Sequence, residues 1–239
     1  MTKRSGQLTL ELFNPEALEF ADFCAEHAPE VLTSLRAWSD GGAFSFIYLF
    51  GDSACGKSHL AQAAVSAVAS ETARAMYVPV RTLLDYGPEV LDGLNEVAAL
   101  AIDDIDACIG DPAWERQLFS IYNEAQEKGI RLLWTGDRAP ALMAFKLPDL
   151  CSRLSAGLSY HLRDISDKSK GILLQKRAAQ RGFDLSDDVI AFVLKRERRD
   201  LRSLMRLLDL IDEASLSGGR AVTVPLVRDC AALLGDQES

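Results

Sequence analysis

Eight residues, Gly51-Asp52-Ser53-Ala54-Cys55-Gly56-Lys57-Ser58, constrain this chain of 239 residues more than any others. They keep the Gly-x-x-x-x-Gly-Lys-Ser spacing of a phosphate-binding loop. The apolar run Phe44 to Phe50 before them predicts a buried strand, and His59 to Val65 after them predicts a helix. Strand, glycine loop, helix is the context in which such a loop holds phosphate. Gly51 and Gly56 lack a Cβ, so backbone N–H groups can approach an anion closely. The helix N-terminus adds further N–H groups and the positive end of its dipole. Lys57 has the reach for β- and γ-phosphates, and the Ser58 hydroxyl suits Mg²⁺. Residues 51 to 58, with His59, form the candidate nucleotide-binding stretch, for ATP or ADP. Cys55 reads as a small residue tolerated in the loop, not as a nucleophile.

Composition narrows the class. The hydrophobic fraction of 48% and charged fraction of 26% are those of an ordinary globular protein. No apolar run reaches membrane-spanning length, and no signal-peptide core opens the chain, so a cytoplasmic protein is expected. The five cysteines are odd in number and scattered, as reduced thiols are. The three histidines show no metal-ligand spacing, so no structural zinc is expected. A net charge of −9 argues against nucleic-acid binding by the whole surface and favours protein partners.

Near the start, Leu8, Leu10 and Leu12 alternate with Thr9 and Glu11. That period suits an extended segment, either an edge strand or a short motif docking in a partner's apolar pocket. Residues 14 to 38 read as helical, with a start permitted at Pro15 and a stop at Asp40-Gly41-Gly42. Residues 74 to 80 read as a strand, and 81 to 94 as mostly helical with a break at Gly87-Pro88. Residues 97 to 102 are continuously apolar, as in a central parallel strand buried on both faces. This strand ends in Asp103-Asp104, on the ligand-binding edge of a parallel sheet. The arrangement resembles a Walker B motif, in which Asp103 would hold Mg²⁺ through water and Asp104 would orient the attacking water. Residues 114 to 128 read as an amphipathic helix, 131 to 135 as another central strand and 158 to 162 as the last. Beyond Asp164 come four helices, with Ser166 or Asp167, Ser186, Asp200 and Thr223 as candidate caps. The fold class is α/β: a parallel sheet flanked by helices, then a small all-helical lid. The expected divisions are a tail at 1–14, the nucleotide-binding unit at 15–164 and the lid at 165–239.

This order of motifs resembles the AAA+ ATPases. In that class the segment before the first strand often touches the base, which makes Phe20 to Phe23 candidates. Thr135 or Asp137 stands where a sensor-1 residue reads the γ-phosphate. Arg153, in Leu147 to Leu154, resembles the arginine finger that acts on a neighbouring subunit's nucleotide. Arg202 stands where a sensor-2 arginine bridges lid and phosphates. Thr135-Gly136-Asp137-Arg138 and Asp200-Leu201-Arg202-Ser203-Leu204 are similar to stretches of the DnaA-like clade. Gln7 to Leu12 resembles bacterial sliding-clamp-binding motifs, with Gln7, Leu8, Leu10 and Leu12 as the docking residues. A protein with no C-terminal helix-turn-helix domain and no long N-terminal domain is expected. Together with Tyr77-Val78-Pro79, residues 88–93 and residues 177–183, this resembles the Hda family of DnaA-related regulatory inactivators.

The resemblance implies an ADP-bound regulator that docks on the DNA-loaded sliding clamp of DNA polymerase III. It would promote hydrolysis of DnaA-bound ATP and so restrain initiation of replication. DNA contact would be mainly indirect, through the clamp, and self-assembly through the AAA+ interface is a further expectation. Many AAA+ ATPases carry Glu where this chain has Asp104, so slow intrinsic hydrolysis is expected. Two other readings are a stand-alone ATPase of helicase-loader type and a small-molecule kinase with a lid. The net charge disfavours the first, and the Asp103-Asp104 strand end and helical C-terminal part fit the second less well.

Overall fold

A computed structural model describes residues 18–23, 28–42, 44–69, 73–94, 96–196, 201–218 and 222–236. Five parallel strands form one sheet in the order β2-β3-β4-β1-β5. They are β1 (Phe46–Phe50), β2 (Ala75–Pro79), β3 (Ala99–Asp103), β4 (Arg131–Gly136) and β5 (Leu158–His161). The three central strands, β3, β4 and β1, are almost wholly buried, because helices cover both faces of the sheet.

Alternation along the strands divides the side chains between two cores. Phe46, Tyr48, Leu100, Ile102, Leu132 and Trp134 face α4 (Pro112–Lys128) and α5 (Pro148–Leu154). Ile47, Leu49, Ala99, Ala101 and Leu133 face α1 (Pro29–Ser39) and α2 (Lys57–Val68). The second face is lined by small residues on both sides, Ala99 and Ala101 against Ala61 and Ala64. Their size lets α2 lie close to the sheet and sets the P-loop directly over the strand ends.

Helices α6 (Asp167–Gln180), α7 (Asp187–Arg196), α8 (Leu201–Gly218) and α9 (Val224–Asp236) enclose a third core. Its centre is Leu174, Val189, Val193, Leu204, Leu207, Leu208, Ile211 and Val227. Ser166 caps α6, its hydroxyl accepting from Ser169 N at 3.2 Å. Ser186 accepts from Val189 N at 3.4 Å at the start of α7. The α/β layer with its helical lid is the architecture expected from the sequence.

Two expected helices differ. The 14–38 segment is not one helix. Residues 20–22 form a single 3₁₀ turn, and α1 begins only at Pro29, which is suited to a first helical position. The 81–94 segment is a short helix, α3 (Val80–Leu83), followed by two 3₁₀ turns. Gly87, at φ 81°, separates those turns, and Pro88 restarts the chain.

One buried anion fastens the α4 side of the sheet. Glu115 is 1% exposed, and its two oxygens accept from Gly110 N and Leu147 N, each at 2.8 Å. It thereby joins the turn after β3 to the residue that precedes α5. Glu115→Ala removes both acceptors and leaves two N–H groups without them. Its expected cost is about 2–5 kcal/mol of stability, read as a lower urea midpoint at unchanged slope; Glu115→Gln, which keeps one acceptor, loses less.

Candidate functional site

The P-loop conformation follows from its glycines. Gly51 has φ 153° and Gly56 φ 101°, and Ala54 between them is also left-handed at φ 61°. A Cβ on Gly51 would collide with the carbonyl oxygen of Leu162, and one on Gly56 would stand 2.7 Å from the Phe23 ring. Gly56 ends the loop as the left-handed residue before α2, and no side chain caps that helix. The first-turn N–H groups of a twelve-residue helix are therefore directed into the loop. Lys57 is 7% exposed, and its ammonium donates to Gly51 O at 2.6 Å and Asp52 O at 2.8 Å. Cys55 Sγ lies 3.9 Å from the same nitrogen, and burial pushes its thiol pKa up, which favours the neutral thiol over a nucleophilic thiolate.

Period-2 alternation brings three polar side chains to the α2 face of the strand ends. Tyr77 on β2, Asp103 on β3 and Thr135 on β4 continue the positions that, farther back, hold Ala75, Ala101 and Leu133. Asp103 is 3% exposed. Its Oδ2 accepts from the Tyr77 hydroxyl at 2.6 Å, and its Oδ1 accepts from Thr135 Oγ1. Thr135 is fully buried, and its hydroxyl in turn accepts from Asp104 N at 3.0 Å. Burial, then the Asp103 charge, raises the Tyr77 pKa well above that of a free phenol, and Gln62 and Ser58 lie near enough to oppose that rise.

Asp104 leaves the sheet in a left-handed conformation, φ 55° and ψ 49°. Its carboxylate meets Arg81 of α3, whose guanidinium reaches Asp104 and Asp106, each at 3.1 Å. Asp106 Oδ1 is buried without a partner; burial, then the neighbouring Asp137 and Asp104, raises its pKa. Asp137 is held low, first by the Arg138 guanidinium that donates to both its oxygens, and Lys57 is near enough to contribute. The Walker-type acids, Thr135, Asp137 and Lys57 thus converge on one sheet edge.

The base-side candidates lie beside the loop. Phe23 is 9% exposed and stacks on His59 with ring centroids 6.2 Å apart, while His59 Nε2 is 3.3 Å from Glu19 O. The lid reaches this segment through Lys176, whose ammonium donates to Ala21 O. Arg153 lies apart from the loop cluster. It is exposed on α5, its guanidinium over the rings of Phe119 at 5.8 Å and Tyr122 at 5.7 Å. Arg202 is the second residue of α8. Gln7, Leu8, Leu10 and Leu12 lie outside the described residues.

These residues fit a nucleoside phosphate. The loop is held tight by glycines whose Cβ atoms would strike Leu162 and Phe23, with one buried ammonium and the uncapped N–H groups of α2 beside it. Ser58 and Asp103 carry oxygen donors of the kind that a hard cation such as Mg²⁺ takes. Tyr77, Gln62, Arg81 and Asp106 were not among the candidate site residues that the sequence offered. Tyr77 precedes Val78-Pro79 at a strand end, and that position on the α2 face was the one signal available.

Residues 23–161 match the family model described as the bacterial DnaA ATPase domain, and residues 167–230 match one described as the Hda lid domain. Among solved structures, the chain is similar to domain III of the Thermotoga maritima replication initiation protein DnaA. The TM-score is 0.79 at 21% identity, covering 90% of this chain and 96% of that one. AMPPCP-bound DnaA from Aquifex aeolicus gives 0.72 at 19%, covering 86% and 68%. A single-substitution variant of Thermotoga maritima RuvB gives 0.65 at 18%, covering 87% and 68%.

Thr135→Val keeps the shape of the side chain but removes the hydroxyl that serves both Asp103 and Asp104. Its expected cost is about 2–4 kcal/mol in urea denaturation, together with weaker binding of a fluorescent ADP analogue.

Proposed function

The chain belongs to the bacterial DnaA ATPase-domain family, and from that membership we propose that it is a nucleotide-bound regulator of DnaA. In this reading it holds ADP, docks on the DNA-loaded sliding clamp and promotes hydrolysis of DnaA-bound ATP. The observation that carries it is the pairing of a DnaA-type ATPase module with a lid of the Hda type in one chain. The Aquifex relative was solved with AMPPCP, which supports an adenine nucleotide here. The reading divides the chain at 14/15 and 164/165 into a clamp-binding tail, the nucleotide unit and the lid.

Each residue then has a part. The loop N–H groups and Lys57 neutralise phosphate charge. Ser58 and Asp103 would hold Mg²⁺, which would neutralise phosphate oxygens. Phe23 and its neighbours bound the base, and Arg202 contributes from the lid. Thr135 or Asp137 would serve as the residue that senses the terminal phosphate. Asp104 is short and engaged by Arg81, which supports slow turnover of the chain's own nucleotide. Arg153 is exposed on α5 and available to a neighbouring molecule. It acts in trans on the nucleotide of DnaA, where a guanidinium stabilises charge spread over the transferring phosphoryl group. Gln7, Leu8, Leu10 and Leu12 dock on the clamp, an extended segment filling apolar pockets. The AAA+ interface that presents Arg153 would also serve association between copies of this chain.

The test measures hydrolysis of ATP prebound to DnaA, with this protein and ADP added, with and without clamp loaded on DNA. The expected result is clamp-dependent stimulation that Arg153→Ala reduces by about 10³-fold, the low end for an arginine finger, while clamp binding is unchanged. Absence of stimulation by a folded, ADP-binding protein overturns the reading.

A further inference from the structure

One side chain in the strand-end cluster belongs to neither the loop motif nor the acidic strand end. Tyr77 lies on an edge strand, yet its hydroxyl donates to Asp103 Oδ2 at 2.6 Å. Ser58 and Gln62, both on α2, lie near that hydroxyl. The register explains the reach. Pro79 pairs with Asp103, and Tyr77, two residues earlier on the same face, pairs with Ala101. The small Ala101 side chain leaves room for the phenol ring to run along the sheet toward the carboxylate. A phenol is protonated at neutral pH, and at 2.6 Å it is the donor to that carboxylate.

The two oxygens of Asp103 therefore each accept from an uncharged hydroxyl, Tyr77 on one side and Thr135 on the other. A carboxylate 3% exposed is costly unless it is hydrogen-bonded or beside a cation. Here the protein's own hydroxyls meet that need. We propose that Tyr77 is a positioning residue of the nucleotide site: its hydroxyl holds Asp103 beside Ser58 with or without a divalent cation, so nucleoside diphosphate binding depends little on Mg²⁺. The inference rests on the nucleotide-site reading above. Without the Tyr77 hydroxyl, Oδ2 has to draw its donor from the hydration shell of a bound cation. The cation-free form then loses more than the cation-bound form, and Mg²⁺ dependence rises.

The experiment titrates the full chain and its Tyr77→Phe variant with a fluorescent ADP analogue, in excess Mg²⁺ and in excess EDTA. For the unmodified chain, the expected loss of affinity on chelation is less than about fivefold. For Tyr77→Phe the expected loss is about tenfold larger, the size of one charge-assisted hydrogen bond. Thermal unfolding with and without ADP, in the same two buffers, gives a second readout that needs no turnover. A loss well beyond fivefold in the unmodified chain overturns the proposal, and that arm decides even where Tyr77→Phe does not fold. Equal losses in both proteins overturn it too. Failure of the unmodified chain to bind ADP in Mg²⁺ refutes the nucleotide-site reading itself, which separates the two failures.

Discussion

Asp103 carries a carboxylate into a region almost closed to water, where three strands of a parallel sheet end side by side. Low dielectric makes such a group expensive unless donors surround it. The donors come from different parts of the chain: the Tyr77 hydroxyl from β2 and the Thr135 hydroxyl from β4. Thr135 also accepts from the next backbone N–H, that of Asp104, which leaves the sheet at positive φ. Satisfying one carboxylate thus fixes the register of the sheet edge, the exit of the chain from β3 and the direction in which Asp104 is presented.

The same edge is where the P-loop lies, and packing rather than polarity puts it there. Alanines on β3 and on α2 let the helix lie close to the sheet, bringing Ser58 to the strand ends. Arg81 then links the acid after Asp103 to Asp106 across the turn. The guanidinium is largely exposed, and solvent there limits what the two bonds add to stability. Its effect is to give the Asp104 carboxylate a fixed neighbour.

Much of this was legible in the sequence, and the reason differs from residue to residue. Residues 97–102 announce a doubly buried strand because both of its faces must be apolar. Residues 51–58 announce the loop because only certain residue types tolerate its turns. Ser166 and Ser186 were readable as caps because a cap is a local bond. Tyr77, Arg81 and Glu115 were not readable. Their partners lie 26, 23 and 32 residues away, and no local pattern encodes a pairing fixed by sheet order and helix placement. The expected helix over 14–38 missed the restart at Pro29, where apolar spacing continued but the backbone did not.

The contact between Gly51 and the Leu162 carbonyl has a mechanical meaning. Leu162 is the first residue after β5, where the chain leaves the sheet on its way to α6. The connection to the lid therefore starts against the first glycine of the loop, five residues before α6. Helix α6 has fourteen residues, a lever arm of roughly 21 Å at 1.5 Å per residue. A tilt of about 5° at its root carries the far end through roughly 2 Å. Because Gly51 has no Cβ, that fulcrum bears backbone against backbone, with no side chain between to absorb the motion.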